Sequence, residues 1–110
     1  MDKEVAVVVW GEFGRVPRIS PNGDSGGGPG RGHYPPVGFA LVAGGGLQMG
    51  QVIDVTDAHA AAIRTRPITP QNMLSTLYHV LCIDPAETFP STSGRPMYVL
   101  DEREPIRELL

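Results

Sequence analysis

The apolar positions of this chain fall in short runs separated by glycine and proline. The first run is Val5-Ala6-Val7-Val8-Val9-Trp10. It is rich in β-branched residues and has no polar alternation, the pattern of a strand buried on both faces of a helix-covered sheet. Phe39-Ala40-Leu41-Val42-Ala43 repeats the pattern, and Gly44-Gly45-Gly46 ends it. Gln51 to Val55 reads as a short third strand at an edge, and Tyr98-Val99-Leu100 as a last short one. Between them, 56–66 shows no period and reads as loop, with Asp54 and Asp57 closing a turn. Trp10 is expected in the core.

One stretch has helical spacing. Met73, Leu74, Leu77, Tyr78 and Leu81 make an apolar stripe. Thr69 is placed to cap it, and Pro70 suits the first helical position because its missing N–H would have no partner there. The spacing predicts a helix that stops near Leu81 or Cys82, before Ile83-Asp84-Pro85. Gly94-Arg95-Pro96 reads as a turn and 104–110 as a terminal turn or short helix. Strands buried on both faces, together with a helix, give an α/β fold. The first strand starts almost at once, which is the first sign of a piece of something larger.

Composition narrows the function classes. A chain of 110 residues suits one small domain. Its net charge of -3 gives no reason to expect nucleic acid or an acidic membrane surface. No apolar run is long enough to span a bilayer, and Met1-Asp2-Lys3-Glu4 shows no secretory signal. The one cysteine, Cys82, cannot form an intrachain disulfide. The glycine-rich stretch 20–32 reads as a flexible connector. It has neither the Gly-Lys-Ser/Thr ending nor the Gly-x-Gly-x-x-Gly frame of a phosphate-binding loop.

In open α/β sheets the chemistry lies just past the carboxyl ends of the strands. Here that place holds Glu12, Arg15, Arg18, Arg31 and His33. Glu12 and His33 could share a divalent cation or work as acid and base. Equally, Glu12 could pair with Arg15 or Arg18 and leave His33 as a partly exposed loop residue. Arg15, Arg18 and Arg31 could hold a sulfate, phosphate or carboxylate through bidentate bonds, or stay solvated. His59 lies in the segment without period, and His79 lies off the main helical stripe.

The phrase Val-Val-Val-Trp-Gly-Glu-Phe-Gly-Arg-Val-Pro-Arg-Ile, residues 7–19, resembles the hallmark of domain-of-unknown-function family 1501. Further blocks match in the family's order: Gly30-Arg31-Gly32-His33-Tyr34-Pro35, Leu41 to Gly46, Arg66-Pro67-Ile68-Thr69-Pro70, Thr76-Leu77-Tyr78-His79, Gly94-Arg95-Pro96 and Glu104-Pro105-Ile106. The resemblance implies a sulfatase-like protein of the alkaline phosphatase superfamily, with an α/β/α sandwich and a metal-centred hydrolytic site. It implies that 1–110 is the C-terminal portion of that sandwich, with the nucleophile and further metal ligands in a missing N-terminal part. By the same analogy Glu12 and His33 are metal ligands or support them. Arg15, Arg18 and Arg31 support the anion or the loop. The implied cofactor is a divalent metal ion, the implied substrate a small-molecule or polysaccharide ester, and the implied location exported or periplasmic.

Three departures qualify the resemblance. Arg31-Gly32-His33 stands where the family commonly has Arg-Asp-His, so an acidic group is gone. The loop before it carries an extra Gly26-Gly27-Gly28. Cys82 stands where a glycine usually follows the helix, and in a left-handed conformation it would cost roughly 1 kcal/mol. The expected function is therefore part of a metal-dependent hydrolase of sulfate or phosphate esters, inactive alone. Its rivals are a noncatalytic binding or structural protein that keeps the fold and a truncated product with no function of its own. A fragment of this kind is expected to aggregate or stay molten by itself.

Overall fold

The computed structural model describes residues 3–23 and 28–110. Gly26 and Gly27 of the extra glycine run lie outside the described residues. The elements are β1 (Ala6–Trp10), β2 (Gly14–Arg15), β3 (His33–Tyr34), β4 (Ala40–Gly44), α1 (Pro70–Val80), β5 (Thr88–Pro90), β6 (Pro96–Tyr98) and a closing 3-10 turn, Arg107–Leu109. The fold is mixed α/β: three two-stranded sheets, β1 with β4, β2 with β3 and β5 with β6, and one α-helix among the described residues. The β2–β3 and β5–β6 pairs are antiparallel.

The chain divides into two compact units. One comprises 1–6, 43–51 and 68–110, the other 7–42 and 52–67. Among the described residues the buried apolar side chains are Met73, Leu100, Ile106 and Leu109, all in the first unit.

In that unit α1 begins as its sequence dictates. Thr69 Oγ1 accepts the Asn72 N–H at 3.1 Å, and Asn72 Oδ1 accepts the Thr69 N–H at 2.9 Å, a reciprocal capping box that satisfies two orphan donors. The helix ends in a Schellman motif. The Ile83 N–H reaches the Tyr78 carbonyl at 2.8 Å and the Cys82 N–H reaches His79 at 3.1 Å, with Cys82 left-handed at φ 57°.

The buried face of α1 is more polar than its stripe suggests: Asn72, Ser75 and Thr76 are buried beside Met73, whereas Leu81 is exposed. These three side chains hold the irregular segment 103–106. Asn72 Nδ2 donates to the Glu104 carbonyl at 2.8 Å, and the Ser75 hydroxyl donates to the Arg103 carbonyl at 2.7 Å. Thr76 Oγ1 accepts the Ile106 N–H at 2.9 Å. Backbone that pairs with no strand is thereby satisfied, and among the described residues no buried side-chain polar atom lacks a partner.

Several expectations need correction. β1 is not buried on both faces: Val7 and Val9 are about half exposed, at 50% and 53%, and Trp10 is 41% exposed and outside the core. β4 opens on exposed residues, and Phe39 before it is 71% exposed. The physical reason is the count of neighbours. Each of these strands has one partner in a two-stranded sheet, not a place inside a covered one. Residues 51–55 form no strand, because Asp54 turns left-handed at φ 63° and ends any extension. The last strand is Pro96–Tyr98, displaced toward the chain start from 98–100, and it pairs with β5, which has no strand pattern in the sequence. The turn at Gly94, at φ 78°, joins the two.

Candidate functional site

The elements that carry the candidate residues are β2 and β3. They pair with Gly14 opposite Tyr34 and Arg15 opposite His33. The ladder extends beyond the strands: the Val16 N–H donates to the Gly32 carbonyl at 3.0 Å, and Ser20 and Gly30 exchange bonds of 2.8 and 3.0 Å. These bonds bring the two ends of the glycine-rich stretch together. His33 is thus held by strand pairing and does not hang from a loosely attached loop. Tyr34 is anchored in turn, its hydroxyl donating to the Ala61 carbonyl at 2.7 Å.

Gly14 allows this arrangement. A Cβ there would stand 1.8 Å from the Val37 carbonyl oxygen, so a side chain would force the backbone apart. The crossing is set by the turn after β3, where the Val37 N–H reaches the Tyr34 carbonyl at 3.3 Å.

Residues directly opposite across an antiparallel pair share a face, and the side chains of Arg15 and His33 meet on the ring of Phe13. The Phe13 and His33 ring centroids are 4.0 Å apart with planes tilted by 39°. The Arg15 guanidinium carbon lies 5.3 Å from the Phe13 centroid, and its Nη1 donates to the Arg31 carbonyl at 3.1 Å.

Of the sequence-predicted site residues, the structure therefore gathers Arg15, His33 and the backbone of Arg31. Glu12 is exposed on the bend just past β1, and Arg18 is exposed on the bend after β2. Neither Arg15 nor Arg18 forms an ion pair with Glu12 among the described residues. No group of three or more His, Cys, Asp or Glu side chains able to hold a metal occurs among the described residues. Gly32, where the resemblance leads one to expect an acidic group, is buried and offers its carbonyl to Val16. The site residue that sequence reasoning missed is Phe13. Its signal was its place between Glu12 and Arg15 in the hallmark phrase.

Elsewhere in the same unit Asp57 closes a turn, as its residue type suggests. Its Oδ1 accepts the Ala61 N–H at 2.8 Å and the His59 N–H at 3.1 Å. The bond from Ala61 does most to hold the Asp57 carboxyl below the usual carboxylate range, with His59 and Ala62 adding to it. His59 is therefore part of an ordered turn. Asp54 Oδ1 accepts the Val55 N–H at 2.7 Å and the Thr65 hydroxyl.

The family model described as "Protein of unknown function (DUF1501)" matches residues 1–110. The chain belongs to the DUF1501 family. No curated protein and no solved structure matches it. Its DUF1501 membership rests on the whole chain, so Glu12, Phe13, Arg15 and His33 all lie inside the matched region. No helix of the described DUF1501 residues is long and apolar enough to cross a membrane.

Proposed function

We propose that this chain is the C-terminal part of a sulfatase-like, metal-dependent hydrolase of sulfate or phosphate esters, exported in its natural setting and inactive alone. The observation that carries the reading is the β2–β3 pair, which sets a guanidinium opposite an imidazole just beyond the strand that leads to Glu12. Arg15 would draw the anionic group of a small-molecule or polysaccharide ester to this face. His33 would offer an imidazole nitrogen and Glu12 a carboxylate, donors that suit a divalent cation. When bound, such a cation supplies Lewis acidity toward the ester oxygen.

Glu12 and His33 amount to a partial ligand set, since no group of three donors forms among the described residues. The reading therefore assigns the remaining ligands and the nucleophile to other segments of an alkaline-phosphatase-like α/β/α sandwich. Gly32 favours a second reading, a noncatalytic binding or structural protein, because it has no side chain with which to serve as ligand or orient one.

Metal content of the full-length parent, measured by elemental analysis after dialysis, separates the two. His33→Ala and Glu12→Gln should each lower bound metal, and His59→Ala should leave it unchanged. Full metal retention in the His33 variant would remove the ligand assignment and leave His33 a structural residue of β3 or a proton donor, whereas a parent that holds no metal would leave the noncatalytic reading.

A further inference from the structure

Within the unit that holds β2 and β3, the segment 55–64 closes on itself. The Arg64 N–H donates to the Val55 carbonyl at 3.0 Å, Thr56 bridges Ile63, and the Asp57 N–H donates to the Ala62 carbonyl at 2.9 Å. At its base the Thr65 hydroxyl donates to Asp54 Oδ1. One side chain organises the tip, since Asp57 Oδ1 accepts the N–H groups of both His59 and Ala61. Ala61 is held from a second side, because its carbonyl accepts the Tyr34 hydroxyl at 2.7 Å. Tyr34 follows His33 on β3, and successive side chains of a strand point to opposite faces. The loop therefore grips β3 from the face opposite Arg15 and His33. Directly across from Tyr34 stands Gly14, which has no side chain to pack against it. A ribbon of two strands with two residues each is marginal by itself.

We propose that the loop 55–64 is a strut for the candidate site: through the Tyr34 hydroxyl, the order that Asp57 imposes on the tip is passed to β3 and so to the pairing of Arg15 with His33. Asp57 and Tyr34 are positioning residues. A bond that forms only when tip and strand are both in place couples their local openings, and the coupling runs equally in both directions. Its size is that of one net hydrogen bond, roughly two- to tenfold in an opening equilibrium. The inference rests on the reading of β2–β3 as the functional face, but its test reads the opening of the strand pair and not metal content, so each can fail alone.

Amide hydrogen exchange of the 110-residue chain, followed by NMR, gives that test. The Val16 amide, bonded to the Gly32 carbonyl, reports opening of the strand pair, and the Asp57 amide, bonded to the Ala62 carbonyl, reports opening of the tip. Tyr34→Phe should speed exchange at both by roughly two- to tenfold. Asp57→Ala should speed Val16 by up to that factor in the wild-type background and add nothing in the Tyr34→Phe background. The Leu81 amide, bonded to the Leu77 carbonyl, is the control for global opening. If Asp57→Ala moves it, Asp57→Asn, which keeps an oxygen to accept the N–H groups, decides in its place. Additive effects of the two substitutions at Val16 would overturn the strut, as would a Val16 amide that is insensitive to Tyr34→Phe or unprotected in the wild type.

Discussion

The Thr76 hydroxyl bridges helix and strap: it accepts the Ile106 N–H at 2.9 Å and donates to the Asn72 carbonyl at 2.8 Å. Thr76 is fully buried and Ile106 is 1% exposed, so no solvent can replace either bond. Thr76→Val keeps the shape and strands the Ile106 N–H. It should destabilise the chain by about 1–3 kcal/mol, whereas Thr76→Ser keeps the hydroxyl and should lose less. Denaturant unfolding of the two variants gives the comparison, and equal losses would show that the methyl group, not the bond, matters.

Gly14→Ala places a methyl group where the Val37 carbonyl already stands. Backbone on both sides must give way, and overpacking of this kind costs about 1–3 kcal/mol. Hydrogen exchange at the Val16 amide should accelerate, because the displaced β2 can no longer hold its bond to Gly32. An unchanged exchange rate would show that the turn at Val37 yields instead.

Cys82→Gly should raise stability by up to about 1 kcal/mol. A residue with a Cβ at φ 57° is strained, and glycine is not. Part of the gain is offset by the greater freedom that glycine gives the unfolded chain. The unfolding midpoint reads the balance, and a lower midpoint would mean that the unfolded-chain term dominates.

Asp57 supplies a pH dependence. Its folded carboxyl is more acidic than the unfolded one, so its contribution is present above the unfolded carboxylate range. It is lost as pH falls through the lowered folded value. The amide resonances of Ala61 and Ala62, both of which help hold the Asp57 carboxylate, should move together in acid. Asp57→Asn should abolish that coordinated movement; its persistence would locate the titrating group elsewhere.

The elements legible in the sequence are those whose cause is local. Thr69-Pro70 announces the start of α1, and Ile83-Asp84-Pro85 announces its stop near Cys82; the left-handed form of that stop is implied only by the resemblance, in which a glycine stands there. Asp57 binds N–H groups a few residues on, as its type suggests. The β1 run was legible as a strand but not as a partly exposed one. Consecutive valines report backbone preference, whereas coverage depends on how many strands and helices lie beside them. Gly94-Arg95-Pro96 reads as a turn, but Pro90 and Pro96 hide the hairpin it joins. At the candidate site, residue types singled out Arg15 and His33. No spacing rule could set them opposite one another, because the register across the intervening stretch comes from Val16, Gly32, Ser20 and Gly30.

The attachment of segment 103–106 to α1 acts as an index mark. Apolar side chains would tolerate sliding by a residue, since one methyl group replaces another at little cost. Asn72, Ser75 and Thr76 instead recognise one carbonyl at Glu104, one at Arg103 and one N–H at Ile106. A single-residue insertion between Leu100 and Arg103 would disturb Glu102, whose N–H donates to Gln71 Oε1 at 2.6 Å. One placed between Arg103 and Ile106 would pull these three matches out of step together. The spacing of those four residues is therefore a length constraint, independent of the side chains they carry.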